Sequence, residues 1–160
     1  MVSIGVRCGS SEVYYIIIEG SIDEPNDLSH NKLKHPANLQ MHEALAWYRE
    51  QLHALLNEFN VQCCGLRTSE PIAKSMGASA REGAIKRNYL DSIVMEAVAS
   101  KGLPLLHGPM ATLSAALETP KAKKFLDDGD FRGIKVWGRL SKEYKEAALA
   151  GTAALKLLEC

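Results

Sequence analysis

Residues 5–10 of the chain, GVRCGS, stand between two runs of residues that favour β-strands. The runs, VSIGVRC and SEVYYIIIE, are rich in β-branched and aromatic side chains. Gly9 and the two serines after it interrupt this pattern, which predicts a β-hairpin with its turn at residues 9–11. A charged residue, Arg7, stands near the end of the first predicted strand. The chemistry of the site depends on what this arginine contacts.

Strand and helix patterns alternate over the rest of the chain. Asn38 is the predicted N-cap of a helix over 39–58, and Ser79 with Glu82 forms a capping box that opens a second long helix. That helix should turn Ile85 and Tyr89 inward. In order, the predicted elements after the hairpin are a loop over 20–27, a weak strand within 28–35, a helix over 39–58, a strand over 61–66, a loop over 67–78, a helix over 79–100, a strand over 103–107, a helix over 109–118, an irregular segment over 119–140 and a helix over 141–158.

The resulting order, β-β-β-α-β-α-β-α, indicates an α/β protein with a mixed sheet flanked by helices. The chain has 160 residues and shows no internal repeat, so a single domain over 1–160 is predicted. The final helix carries a face of small residues, Ala147, Ala150, Gly151 and Ala154, which would let it lie close against the sheet.

Composition limits the function. The 19 basic and 19 acidic residues balance, so the chain is not a protein that coats nucleic acid nonspecifically, and any contact with nucleic acid must be local. No apolar run is long enough for a membrane span and no signal segment is apparent, which predicts a cytoplasmic protein. Cys8, Cys63, Cys64 and Cys160 show no metal-ligand spacing and are predicted to be reduced thiols.

The GVRCGS turn and the element order resemble those of RuvC-type resolvases, members of the ribonuclease H-like superfamily. The resemblance covers the whole chain in element order and implies a three-strand meander followed by alternating helices and strands. It also implies an aspartate on the first strand, an acidic residue on the fourth and one or two carboxylates on the final helix. In the family these groups hold two divalent cations that activate water against a phosphodiester.

The chain departs from the family at the decisive positions. Arg7 stands at the strand-one aspartate and Arg67 at the fourth-strand acid, and guanidinium groups repel metal ions. The final helix offers Glu143 and Glu146, although the preferred register places Ala147 at the usual aspartate. No metal and no cofactor are therefore expected.

Two interpretations of the remaining site are open: an internal ion pair in which Glu146, or else Glu143, reaches Arg7, or an anion site. The predicted anion or ion-pair site comprises Arg7, Gly9, Ser10, Arg67, Glu143 and Glu146. Glu70 in the following loop and His107 at a strand end are further candidate contributors.

Two other features suggest partners. Residues 121–146 carry eight basic and five acidic residues, together with Phe131 and Trp137, which is compatible with nucleic-acid binding but also with an ordinary solvated loop. Trp47 lies off the apolar stripe of its helix, and an exposed tryptophan there favours a homodimer.

Three functions are consistent with the sequence. The first is a non-catalytic ribonuclease H-like domain that binds an anionic or phosphate-containing ligand, nucleic acid or a protein partner. The second is a divergent metal-dependent nuclease that uses the shifted carboxylates Glu70, Glu143 and Glu146. The third is a nucleotide-binding relative of the actin-like core, because the GVRCGS turn also resembles the phosphate loop of actin-like and sugar-kinase domains.

Overall fold

The computed structural model describes residues 1–159 and contains a five-stranded mixed sheet. Strands β1, β2 and β3 form an antiparallel meander, β4 pairs parallel to β1, and β5 pairs parallel to β4, giving the order β3-β2-β1-β4-β5. The strands are β1 (Val2–Cys8), β2 (Val13–Gly20), β3 (Pro25–Leu33), β4 (Cys63–Arg67) and β5 (Leu105–Gly108). The predicted mixed sheet and its leading meander are confirmed.

Helices cover both faces of this sheet. They are α1 (Met41–Glu58), α2 (Ala78–Ser100), α3 (Met110–Ala116) and α4 (Lys142–Ala154). Helices α1 and α2 pack on one face, while α3, α4 and the segment between them pack on the other. Because strand side chains alternate between faces, the adjacent thiols of Cys63 and Cys64 lie in different halves of the core.

Helix α4 lies almost in backbone contact with the centre of the sheet. Gly5 of β1 and Gly65 of β4 are paired in register. A Cβ atom at Gly5 would overlap the carbonyl oxygen of Ala147, and one at Gly65 would overlap that of Ala150. The small-residue face predicted for α4 is therefore the face that packs on the sheet, and it requires glycine on both strands.

Several predicted boundaries are wrong, and local hydrogen bonds explain the first of them. Helix α1 begins at Met41 rather than at residue 39, because residues 36–39 form a turn in which Leu39 N–H donates to Pro36 O at 3.1 Å. The N-cap is consequently Gln40, not Asn38, and its N–H donates to Glu43 Oε2 at 2.8 Å. Strand β3 also begins earlier than expected, at Pro25, within the segment predicted to be a loop.

The start of α2 differs as well. Gly77 is its N-cap and makes no side-chain cap, so the predicted capping box of Ser79 and Glu82 is wrong. Ile85 and Tyr89, expected to face inward, are 40% and 48% exposed. The buried residues of α2 begin with Ala84 and Leu90 instead, so periodicity alone assigned the first half of this helix the wrong inner face.

The end of α4 and the position of Trp47 complete the corrections. Helix α4 ends at Ala154, and Leu155–Leu158 form a 3-10 turn rather than its last residues. Trp47 is partly buried and packs edge to face on Tyr48, with ring centroids 5.1 Å apart, so it is not the exposed tryptophan expected.

Cys8, Cys63 and Cys64 are buried free thiols. Cys160 lies outside the described residues, so its reduced state and a domain boundary at residue 160 stay predictions. In the part of the chain that the structure describes, no helix combines the length and the apolar character needed to cross a membrane.

Candidate functional site

The pairing of β1 with β4 brings the two arginines of the predicted site together. Arg7 and Arg67 are direct partners in the parallel register, one pair of residues beyond Val6 and Leu66. Val6 and Leu66 belong to the core under α1 and α2. By strand alternation, Arg7 and Arg67 therefore project toward α4. The two side chains therefore lie near each other at the strand ends.

Helix α4 supplies one carboxylate to both arginines. Glu146 Oε2 lies 2.8 Å from Arg7 Nε and 3.4 Å from Arg67 Nε. The glutamate is 4% exposed and Arg67 is 6% exposed, so this is a buried contact. Lys142, one turn earlier on α4, brings a third cation to 4.0 Å from Glu146 Oε1. The predicted ion pair between Arg7 and Glu146 is present.

The carboxylate thus comes from Glu146, while Ala147, which the sequence register placed at the family's helix position, packs against Gly5. Because neighbouring residues of a helix point about 100° apart, only one of the two can face the strand ends. The backbone contact of α4 with the two strand glycines decides which one.

Arg67 makes several polar contacts in addition to the one with Glu146. Its Nη2 lies 3.1 Å from Glu70 Oε1, its Nη1 donates to the carbonyl of Thr68, and its own carbonyl accepts from Arg7 Nη1 at 3.4 Å. Burial lowers the pKa of Arg67, which the charges of Glu146 and Glu70 counteract. An arginine keeps its charge in such a setting, so the cluster is a set of fixed charges.

In the part of the chain that the structure describes, two buried polar atoms of this group of side chains lack a hydrogen bond, although each lies close to an opposite charge. Arg67 Nε and Glu146 Oε2 are buried, and neither makes a hydrogen bond within the described residues, although the two atoms are within ion-pair distance. We call Arg7, Arg67, Glu70, Lys142 and Glu146 the strand-end cluster. It contains three cations and two anions, with Glu146 at its centre.

Other predicted site residues lie apart from this centre. Gly9 and Ser10 form the turn between β1 and β2, next to Arg7. Glu143 makes no ion pair within residues 1–159 and lines the cleft at that turn. His107 is exposed and is the register partner of Leu66, so it lies on the opposite face of the sheet from Glu146.

Sequence reasoning missed Asp91, a buried acid on α2 that is 4% exposed. Its Oδ2 accepts from the N–H of Ser69 at 3.2 Å, whereas its Oδ1 is buried without a partner in the described residues. Burial raises the pKa of Asp91, although the hydrogen bond from the Ser69 N–H acts in the opposite direction. The pKa of the Cys8 thiol is also raised, first by burial and then by the charge of the nearby Asp91. The signal was present in the sequence: Asp91 stands three residues before Val94 on the inward stripe of α2.

Two clefts flank the strand-end cluster and share Arg7 and Lys142. The hairpin cleft, of about 430 Å³, lies at the β1–β2 turn, and the helix cleft, of about 410 Å³, lies toward α3. The hairpin cleft is lined by Arg7, Cys8, Gly9, Ser10, Ser11, Glu12, Tyr14, Arg87, Lys142 and Glu143. The helix cleft is lined by Arg7, Arg67, Glu70, Met110, Lys123, Leu126, Lys142 and Glu146.

Solved structures show the same architecture. RuvC of T. thermophilus, in complex with a Holliday junction substrate, matches 99% of this chain and 96% of its own, with a TM-score of 0.73 and 14% identity. The chain has the ribonuclease H-like fold of RuvC. A second T. thermophilus RuvC structure gives a TM-score of 0.72 at 15% identity, with 99% of this chain and 96% of that one covered.

The mitochondrial Holliday junction resolvase Ydc2 of yeast is similar over 96% of this chain and 78% of its own, with a TM-score of 0.57 and 14% identity. No protein-family model matches the chain, and no curated protein matches its sequence.

The divalent cations implied by the resemblance do not fit the residues present. Hard cations require several anionic oxygens at one point. At the strand ends, Glu146 is surrounded by Arg7, Arg67 and Lys142 instead. Within residues 1–159, no three carboxylate, imidazole or thiol groups are grouped so that they could hold a metal ion. The arginines fill the space between the strand ends and the helix with positive charge of their own.

Proposed function

We propose that this chain is a non-catalytic RuvC-like domain that binds a nucleic-acid backbone across the face containing the strand-end cluster. The observation that carries the proposal is the shared contact of Arg7 and Arg67 with Glu146, at the strand positions where the resemblance implies acidic residues. A metal-dependent nuclease needs carboxylates there, and this chain has guanidinium groups.

The charge around the cluster supports a polyanionic ligand. Lys142 is exposed on one side of the helix cleft, and Lys123 is exposed on the other. Arg87 extends the basic surface along the hairpin cleft. Affinity for nucleic acid comes mainly from lysine and arginine at phosphates. Because the whole chain is neutral, binding would be confined to this face.

The fold adds independent support. One RuvC structure that this chain resembles over nearly its whole length was solved with a Holliday junction substrate. Branched DNA is therefore the first ligand to test, with duplex and single-stranded DNA as comparisons. Fold alone does not give function, so the test has to separate binding from cleavage.

Fluorescence anisotropy with a labelled four-way junction at several salt concentrations measures binding, and gel analysis of the same samples with Mg²⁺ or Mn²⁺ measures cleavage. We expect binding that weakens as salt rises, without cleavage. Replacing Lys123 and Lys142 together by alanine should lower the salt slope by about 2, one for each lost phosphate contact. The matched control is Lys101→Ala, an exposed lysine after α2 at the opposite end of the sheet.

A salt-independent or absent interaction with all three DNA forms would overturn the proposal. Metal-dependent cleavage would instead support the second candidate, a divergent nuclease. That candidate draws on Glu70, Glu143 and Glu146, but Glu70 is engaged by Arg67, and Glu143 lines the cleft on the other side of Arg7. The homodimer stays a prediction from the sequence, although Trp47, on which it was based, is partly buried; light scattering of the free protein tests it.

A further inference from the structure

The hairpin cleft is a second polar recess beside the strand-end cluster. The turn from Gly9 to Glu12 forms one wall, Arg87 of α2 forms another, and Lys142 of α4 closes a third. Its volume is about 430 Å³. Three separate parts of the chain therefore bring polar groups to one small space.

Two hydrogen bonds hold the turn from Gly9 to Glu12 in place. The N–H of Gly9 donates to the carbonyl of Glu12 at 2.7 Å, which closes the turn. The hydroxyl of Tyr48 donates to the carbonyl of Ser11 at 2.7 Å and ties the same turn to α1. Ser10 and Ser11, which line the cleft, thus belong to a turn tied down at two points, and polar groups gathered at such a turn suit an anion.

One of the two acids at the cleft is already neutralised. Glu12 Oε2 accepts from the hydroxyl of Tyr14 at 2.6 Å, and its Oε1 lies 3.1 Å from Lys32 Nζ and 3.9 Å from Lys34 Nζ. Glu143 is the remaining acid of the cleft. It faces the positive charges of Arg7, Arg87 and Lys142, so the cleft keeps a cationic surplus.

Two of these cations are available to a ligand. Arg87 is half-buried and makes no ion pair within residues 1–159, whereas Arg7 is held at 2.8 Å by Glu146. Lys142 is 68% exposed in its side chain and reaches Glu146 only at 4.0 Å. A guanidinium and an ammonium thus line one recess without a close internal partner.

We propose that the hairpin cleft binds a phosphomonoester. Arg87 offers the paired N–H geometry that suits phosphate oxygens, and Lys142 adds a mobile point charge. A monoester presents three unesterified oxygens and carries close to two negative charges near neutral pH, so Arg87 and Lys142 can each contact a different oxygen even though Glu143 offsets part of the positive charge of the cleft. A diester presents only two such oxygens and one charge. The ester belongs to the end of a nucleic-acid strand, a choice that rests on the function proposed above, or to a free nucleotide.

The test compares two short single strands, labelled at the 3′ end, that differ only in a 5′-phosphate or a 5′-hydroxyl. By fluorescence anisotropy, the phosphorylated strand should bind about tenfold more tightly, as expected for one added charge-assisted contact. Inorganic phosphate and a nucleoside monophosphate, added as competitors, distinguish a requirement for the strand from recognition of the phosphate alone.

Arg87→Ala should remove the preference for the phosphorylated strand, so that the two strands bind this variant with affinities within about twofold of each other. Lys142→Ala is a second variant at an exposed position, which keeps the test valid if Arg87→Ala folds poorly. Arg81→Ala is the matched control on the same helix, because Arg81 is exposed and, within residues 1–159, its guanidinium donates only to the carbonyl of Lys74.

Equal affinity for the two strands, or a preference that survives both substitutions, would overturn the phosphomonoester site while leaving nucleic-acid binding intact. Binding of inorganic phosphate that depends on Arg87, without binding of either strand, would support the site and overturn the proposed function instead. The two proposals therefore fail in different ways.

Discussion

Strands β1 and β4 contact helix α4 at two levels: the first, at the centre of the sheet, has no side chains on the strands, and the second, at the strand ends, has charged ones. At the centre of the sheet, Gly5 and Gly65 have no side chains, and the helix backbone lies against theirs. Two residues further along each strand, the long cationic side chains of Arg7 and Arg67 extend toward the same helix. Close packing at the first level fixes the helix so that Glu146 can serve both arginines at the second.

The comparison shows how the charged end depends on the apolar centre. A buried ion pair repays its desolvation only when its geometry is fixed. Here the geometry is supplied by a backbone contact that contains no charge. The strand ends would therefore tolerate changes of charge sign better than the centre tolerates an added methyl group, provided that opposite charges remain matched.

Removing the shared carboxylate should have the largest effect. Glu146→Gln leaves Arg7 without an acidic partner among the described residues and Arg67 with only the exposed Glu70, and breaking such a buried pair typically costs about 3–5 kcal/mol. Urea unfolding followed by circular dichroism measures the loss. Glu143→Gln, on the same helix but outside the described ion pairs, is the control and should stay within about 0.5 kcal/mol of the parent. A loss below 1 kcal/mol in Glu146→Gln would mean that the cluster contributes little to stability.

Adding one methyl group at the centre should come next. In Gly65→Ala the new Cβ would overlap the carbonyl of Ala150, and because backbone cannot move aside cheaply we expect a loss of about 3 kcal/mol. Gly83→Ala, at a helical position with no heavy atom within 4 Å of its Cβ, should instead stabilise by about 0.5–1 kcal/mol. If both variants lose stability equally, close packing of α4 is not what fixes the strand-end geometry.

Reversing the charge of the strand ends should create a metal site. Arg7→Asp together with Arg67→Glu places two carboxylates beside Glu146, and hard cations bind such oxygen sets. At a Mg²⁺ concentration about 100 times the dissociation constant, the double variant should gain about 2.7 kcal/mol of stability. Thermal melting with and without Mg²⁺ measures the gain, and the parent should show none. A double variant without a metal-dependent shift would mean that the positions of Arg7 and Arg67 do not correspond to the catalytic strands of active relatives.

The pH dependence of Asp91 should be the smallest effect. Its folded-state pKa is raised by burial, with Cys8, Arg7, Arg67 and Ser69 as its neighbours. The resulting stabilisation is fully present below the unfolded pKa of about 4 and is lost as pH rises through the folded pKa. Compared with Asp91→Asn, the parent should therefore lose unfolding free energy as pH increases from 4 to 8. The opposite slope in that difference would mean that Asp91 is ionised and paired in the folded protein.

The sequence by itself determined the fold class, the neighbouring positions of Arg7 and Arg67, and the small face of α4. The fold class and the small face follow from local patterns, namely β-branched runs, glycine breaks and a helical stripe of alanines, whereas the neighbouring positions of the two arginines follow from the resemblance to RuvC-type resolvases. It also supplied Glu146 as the preferred partner of Arg7, since few acids stand on the helix that must cross those strands. That these residues form a functional site stays a prediction.

Only the tertiary structure decided which helix residue faces the strand ends, because that depends on the backbone contact of α4 with Gly5 and Gly65. The same holds for the surroundings of Asp91 and Arg87. The sequence places Asp91 near the inward stripe of α2, but only the packed helix shows that Asp91 lies beside Cys8 and that Arg87 lies at the hairpin turn. Periodicity fixes the spacing of residues along a helix. The rotation of a helix about its own axis is set by packing between distant parts of the chain. That rotation decides which charged side chains of the helix meet those of the strands.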